Sequence, residues 1–90
     1  MKNFYTINYK LFVSRRSDET LIDAQTVDLA YKSRENAFKA VQERIKTNVE
    51  HCGYKRTISS FVIEKDESET GQKFRIEYEI IEHWLIDYES

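Results

Sequence analysis

The residues Ser33 to Gly53 constrain this chain most, because they admit a single reading. Phe38, Val41, Ile45, Val49 and Cys52 recur at steps of three, four, four and three, and Ala37 and Ala40 widen the stripe. That spacing lays one apolar face along a helix of 3.6 residues per turn. Lys39, Gln42, Glu43, Lys46 and Glu50 fall opposite. Glu35/Lys39 and Glu43/Lys46 meet one turn apart, each pair worth a few tenths of a kcal/mol. Ser33 supplies a capping hydroxyl, Glu35 complements the positive end of the helix dipole, and Gly53 can take the left-handed conformation that ends a helix. A helix apolar on one side needs a flat apolar surface beneath it. The rest of the chain has to provide that surface.

Its 90 residues bound it to a single domain, 1–90. An aromatic share of 13%, no proline and only two glycines exclude a disordered chain. No apolar run reaches the roughly 18 residues of a membrane span. Met1-Lys2-Asn3-Phe4 enters an alternating stretch without the apolar core of a signal peptide. One cysteine rules out an internal disulfide, and a cytoplasmic protein is expected. The net charge of −2 is unevenly spread: residues 1–63 carry 11 Lys/Arg against 7 Asp/Glu, and residues 64–90 carry 3 against 9. Such asymmetry fits either an acidic surface meeting a basic partner or a solvated hairpin. Small acidic chains without motifs are common among accessory proteins of bacteria and their mobile elements, a likeness of composition that identifies no partner.

Four stretches read as strands. In Phe4–Val13, Tyr5, Ile7, Tyr9, Leu11 and Val13 share one side, with β-branched and aromatic residues suited to a pleated surface. Residues 14–19 form a polar hairpin loop, with Ser17 and Asp18 as turn formers. In Thr20–Tyr31 the apolar parity switches between Ala24 and Val27, which predicts a bulge near Gln25-Thr26 or a strand that begins only at Gln25. Tyr54–Lys65 is a third strand of undecided facing, followed by a charged loop in which Gly71 can take positive φ. Lys73–Tyr88 is the longest signal, with Phe74, Ile76, Tyr78 and Ile80 on one parity and Arg75, Glu77 and Glu79 on the other. A straight strand of that length would run roughly 50 Å. A bend is therefore expected near Glu82-His83, or an end that packs on another chain.

The order strand, strand, helix, strand, strand predicts an α+β fold, ββαββ, with one helix packed on a four-stranded sheet. The richest apolar faces belong in the middle, giving a β-grasp-like order 2-1-4-3 with strands 1 and 4 parallel. The antiparallel orders 2-1-3-4 and 1-2-4-3 are the alternatives. On this reading the Arg15-Arg16 loop and the Lys55-Arg56 strand start share one pole, and the Asp66–Glu69 loop occupies the other.

Chemistry-bearing groups are sparse. His51-Cys52 suggests nucleophilic catalysis, but neighbouring helical residues point about 100° apart and do not face each other. Cys52 continues the core stripe and is expected to be structural. The two histidines and one cysteine lack metal-ligand spacing, so neither metal nor cofactor is implied. Gly53 and Gly71 are isolated and build no phosphate cradle. Glu77 and Glu79 share a solvated strand face. No enzyme, small-molecule site or membrane contact is indicated.

Two binding classes remain. Phe4, Phe12, Ile81 and Leu85 fall on the outward face if the Phe74/Ile76/Tyr78 parity is the core side, and Trp84 lies at the far end of the last strand. Large apolar residues on a solvated face mark a covered surface. A homodimer is the simplest partner, through the open sheet face or the C-terminal part of the last strand, with an unidentified second protein as the alternative. The competing class is a weak nucleic-acid binder using Arg15, Arg16, Lys55 and Arg56 beside Tyr54. The pI of about 5.7 argues against it.

Overall fold

Residues 2–16, 18–67 and 69–85 are described by a computed structural model. Among them the chain forms β1 (Lys2–Arg15), β2 (Asp18–Thr26), α1 (Arg34–His51), β3 (Lys55–Arg56), β4 (Val62–Glu67) and β5 (Gln72–Leu85). The sheet is antiparallel throughout, in spatial order β2-β1-β5-β4-β3. The helix packs on one face of it, so the fold is α+β.

The expected four strands in the order 2-1-4-3 do not form, and neither alternative order does. The stretch 54–65, read from sequence as one strand, folds back on itself as the β3–β4 hairpin. One more reversal flips the direction of everything after it, so β5 runs antiparallel to β1. The reversal at 57–61 is made by hydroxyls. Thr57 Oγ1 accepts from the Ser59 N–H (3.1 Å) and donates to the Val62 carbonyl (2.8 Å), and Ser59 Oγ accepts from the Phe61 N–H (3.1 Å). Serine and threonine turn the chain this way without glycine or proline.

The helix keeps its sequence signals. Ser33 caps it, its Oγ accepting from the Asn36 N–H at 3.1 Å, and Gly53 follows the end at φ +78°. Ala37, Val41 and Ile45 are buried against Ile7, Val27, Ile63 and Tyr78. The stripe is narrower than its spacing suggests. Phe38 sits at its margin, 38% exposed and edge-on to Phe61 at 5.7 Å. Cys52 is the cap residue and is exposed, so it is not a core cysteine.

The β1–β2 hairpin closes at the Arg15↔Asp18 pair, with Arg16 at φ +54°. Asp18, expected in the turn, is a paired strand residue, and Ser17 lies outside the described residues. The bulge sits where Leu21–Asp23 oppose Leu11–Phe12, earlier than the expected Gln25-Thr26, and Ile22 is the extra residue. Beyond β2 the chain kinks once more: the Leu29 N–H donates to the Val27 carbonyl (2.8 Å), and Tyr31 then rejoins the sheet opposite Tyr5.

No bend occurs near Glu82-His83. The β1–β5 register runs unbroken from Arg15↔Gln72 to Lys2↔Leu85. The expected continuation to Tyr88 lies outside the described residues. The domain lengthens instead, to 60 × 25 × 21 Å with a radius of gyration of 15.9 Å, where a compact chain of this size would have about 12 Å. Arithmetic makes this unavoidable. Strands of 14 residues reach about 45 Å, while a helix of 18 residues reaches only about 27 Å. The helix covers the rows from Tyr5 to Leu11, and both sheet ends run past it. At one end, β2 and the β4–β5 hairpin broaden the sheet. At the other, Lys2–Thr6 and Ile81–Leu85 continue as a blade, bridged at Tyr5 by Tyr31 and, among the described residues, two-stranded from Phe4 outward.

Candidate protein-interaction surface

Pairing partners on an antiparallel ladder share a face, so the register places each side chain. On the helix side lie Tyr5, Ile7 and Tyr9 of β1, with Ile76, Tyr78 and Ile80 of β5. On the outer face lie Phe4, Thr6, Asn8, Lys10 and Phe12, paired in turn with His83, Ile81, Glu79, Glu77 and Arg75.

The outer face is less open than its sequence suggests. Phe4 is stacked flat on His83, with ring centroids 4.7 Å apart at 9°, and Thr6 Oγ1 lies 2.7 Å from His83 Nε2. Phe12 sits under the Arg75 guanidinium at 4.6 Å, and Arg75 is itself held by Glu19 at 2.6 Å. Each aromatic therefore already has a partner on its own sheet. Between the two lies a polar band of Asn8, Lys10, Glu77 and Glu79. Phe4 and Phe12, eight residues apart, are separated by roughly 27 Å. They form two patches and not one.

The blade differs. Trp84 pairs with Asn3 on the helix-side face beyond the reach of α1, and it is 57% exposed. Ile81 faces outward beside Thr6, half-buried, and Leu85 ends the ladder opposite Lys2. The edge matters as much as the side chains. β4 accompanies β5 only from Gln72 to Glu77, and the last backbone bond on that side runs from the Tyr78 N–H to the Phe61 carbonyl at 2.8 Å. Because backbone groups alternate in direction along a strand, Ile80, Glu82 and Trp84 turn their N–H and C=O the same way as Tyr78. Among the described residues nothing pairs with them. Sequence could not reveal this edge, because an edge is defined by where a distant strand stops.

The cationic residues are not gathered. Arg15 and Arg16 lie at the β1–β2 hairpin, and Lys55 and Arg56 pair with Glu64 and Ile63 on the far side of the sheet. Three strand spacings and three residues of register separate Arg15 from Lys55, on the order of 17 Å between Cα atoms. Between them stand Glu64 and Glu67. The Arg15↔Gln72 and Glu67↔Gln72 pairs also bring the Arg15-Arg16 and acidic loops to the same end, so the expected electrical polarity is overturned. Tyr54 is half-buried with Lys65 Nζ 5.8 Å from its ring centre, an unsuitable platform for a base.

Comparison with known families, curated proteins and solved structures found no match. Function has to be read from the residues themselves.

Two groups with catalytic potential are placed unpromisingly. His51 and Cys52 are both exposed at the end of α1, with no hydrogen bond joining them. Among the described residues no three His, Cys, Asp or Glu side chains gather to hold a metal. No described helix is long and apolar enough to cross a membrane. The titratable groups held off their ordinary values are structural: burial raises the phenols of Tyr78 and Tyr54, and the Tyr78 oxygen accepts from Asn48 Nδ2 at 3.0 Å.

Proposed function

We propose that this chain is a small non-enzymatic, cytoplasmic protein-binding module that self-associates through the blade. One observation carries the reading: β1 and β5 extend together past the core while exposing a large aromatic, Trp84, and, among the described residues, an unpaired stretch of the β5 edge. An isolated two-stranded ribbon is marginal in water. A ribbon that also displays a tryptophan and open backbone groups gains by being covered, since buried aromatics concentrate binding energy. The outer sheet face supports this role less well, because Phe4 and Phe12 are engaged within the sheet and a polar band divides them.

Solution mass tests the proposal, by light scattering or sedimentation over the widest accessible concentration range. A mass rising toward twice 10.8 kDa is expected for the wild type, with Trp84→Ala shifting the rise to higher concentration. A particle that stays at the monomer mass throughout would overturn it.

A further inference from the structure

We infer that the partner of the blade is a second copy of this chain, joined edge to edge by antiparallel pairing of the two β5 strands about a two-fold axis at Glu82. This rests on the self-association proposed above and specifies how it is made.

A two-fold axis perpendicular to a sheet maps each face onto itself. Residues that pair across it must then have the same parity, so the axis passes through a residue and not between two. Among the described residues, Ile80, Glu82 and Trp84 carry the open groups, and Glu82 is the centre that uses all three. Ile80 would pair with Trp84′, Glu82 with Glu82′, and Trp84 with Ile80′, where primes mark the second copy. Each such pair exchanges two backbone bonds, giving six. An axis at Ile81 would need Tyr78 to pair with Trp84′, and the Tyr78 N–H is already given to Phe61. It would leave four.

The side chains agree with the Glu82 centre on the helix-side face. Ile80 lies opposite Trp84′ twice, against a side chain that one copy leaves 57% exposed. On the outer face Ile81 meets His83′. The slot begins at Ile80, because β4 and Phe61 occupy the neighbouring position only as far as Tyr78. The two copies would form one continuous sheet, with each β4 collinear with the other copy's β5.

The β2 and β3 edges of the sheet are blunted. β2 is broken by the bulge at Ile22, and β3 is two residues long. Bulges and short edge strands are common means of discouraging edge pairing. The β5 edge is straight and has neither.

Glu82 opposite Glu82′ is the unfavourable element of this arrangement, and it makes the register testable. Two carboxylates about 6 Å apart at a surface weaken association by about three- to tenfold. Glu82→Gln should tighten the dimer by that factor. Glu82→Pro should abolish it while preserving the monomer. The Glu82 N–H points to the open edge, and proline is tolerated in edge strands at such positions. The same residue thus moves the dissociation constant in opposite directions.

The decisive experiment is sedimentation equilibrium on wild type, Glu82→Gln and Glu82→Pro, with circular dichroism to verify each fold. Dimer in the wild type, tighter dimer with glutamine and folded monomer with proline are expected. If the proline variant folds and still dimerises, the edge pairing is wrong and the self-association reading survives, through another surface. If glutamine does not tighten the dimer, the Glu82 register is wrong. A wild type that is monomeric at every concentration overturns both, and Glu82 is then an edge guard. Should the proline variant unfold, amide exchange on the wild type decides. Protection of Ile80, Glu82 and Trp84 must rise with protein concentration, and flat protection would overturn the pairing.

Discussion

The middle of the β1–β5 ladder and its blade end are built from similar residues and meet different fates. At its middle, Ile7 and Tyr78 pack against the helix and are almost wholly buried. Few residues further along, Phe4 and Trp84 belong to the same strands, carry side chains as large or larger, and face solvent or a single neighbour. Residue type does not explain the difference; length does. An 18-residue helix rises 1.5 Å per residue and a strand about 3.4 Å, so the helix runs out before the strands do. The covered middle is where the fold is held together. The blade is where the molecule has something left to bury.

The largest effect should come from the covered middle. Ile7 is fully buried under Val41 and Ile45, in a core of only a few side chains. Ile7→Ala leaves a cavity that such a small core cannot close, and should cost about 2–5 kcal/mol. For a domain this size that is a large part of its total stability. Urea denaturation measures it. A loss below about 1 kcal/mol would mean that helix and sheet are not the folding unit described here.

The covered middle is also where sequence was most legible. The helix, its serine cap and its closing glycine were readable because each depends on residues within one or two turns. The inward parity of Tyr5, Ile7 and Tyr9 was readable for the same reason. What failed was non-local or unsignalled. The turn at Thr57–Phe61 has none of the glycine, proline or asparagine that mark reversals, and missing it made β5 parallel to β1. With the direction wrong, the pairings of Phe4 with His83 and Phe12 with Arg75 were out of sight, so both aromatics looked bare. Cys52 keeps the helical spacing after the helix has ended, so its spacing points to the core while its position as the cap exposes it. The open stretch of β5 follows from the early end of β4, a fact of topology that no local pattern encodes.

A second, smaller effect sharpens the picture of the middle through pH. Unfolded tyrosine ionises near pH 10, while burial lifts the folded Tyr78 above that value. A raised pKa in the folded state contributes stability that is fully present below about pH 10 and is lost as pH climbs through the folded value, because the unfolded chain releases its proton first. Tyr78→Phe should cost about 1 kcal/mol at neutral pH, where Asn48 Nδ2 loses one of its two acceptors and keeps the Arg44 carbonyl. It should also flatten the alkaline fall in stability. Tyr54, raised by its own partial burial, leaves a residue of that fall in the variant. Denaturation midpoints at neutral pH and above pH 10 make the comparison, and an unchanged alkaline slope would remove Tyr78 as its source.

The smallest change in global stability should come from the blade. Phe4→Ala removes the stack on His83, a contact of the kind worth about 0.5–1.5 kcal/mol where both rings are held in place. In the blade they are held only by a two-stranded ribbon, which can open without unfolding the core. Any loss confined to the ribbon is capped by the free energy of opening it, because a ribbon already open has nothing further to lose. The denaturation midpoint of dilute Phe4→Ala should therefore stay within about 0.5 kcal/mol of the wild type. Amide exchange should tell the rest: Phe4, Thr6, Ile81 and His83, whose N–H groups point into the β1–β5 ladder, should lose protection, and Ile7 and Ile63 should keep it. If Phe4→Ala instead cost as much as Ile7→Ala, the blade and the covered middle would be one cooperative unit. The surplus burial that drives self-association would then belong to the whole sheet.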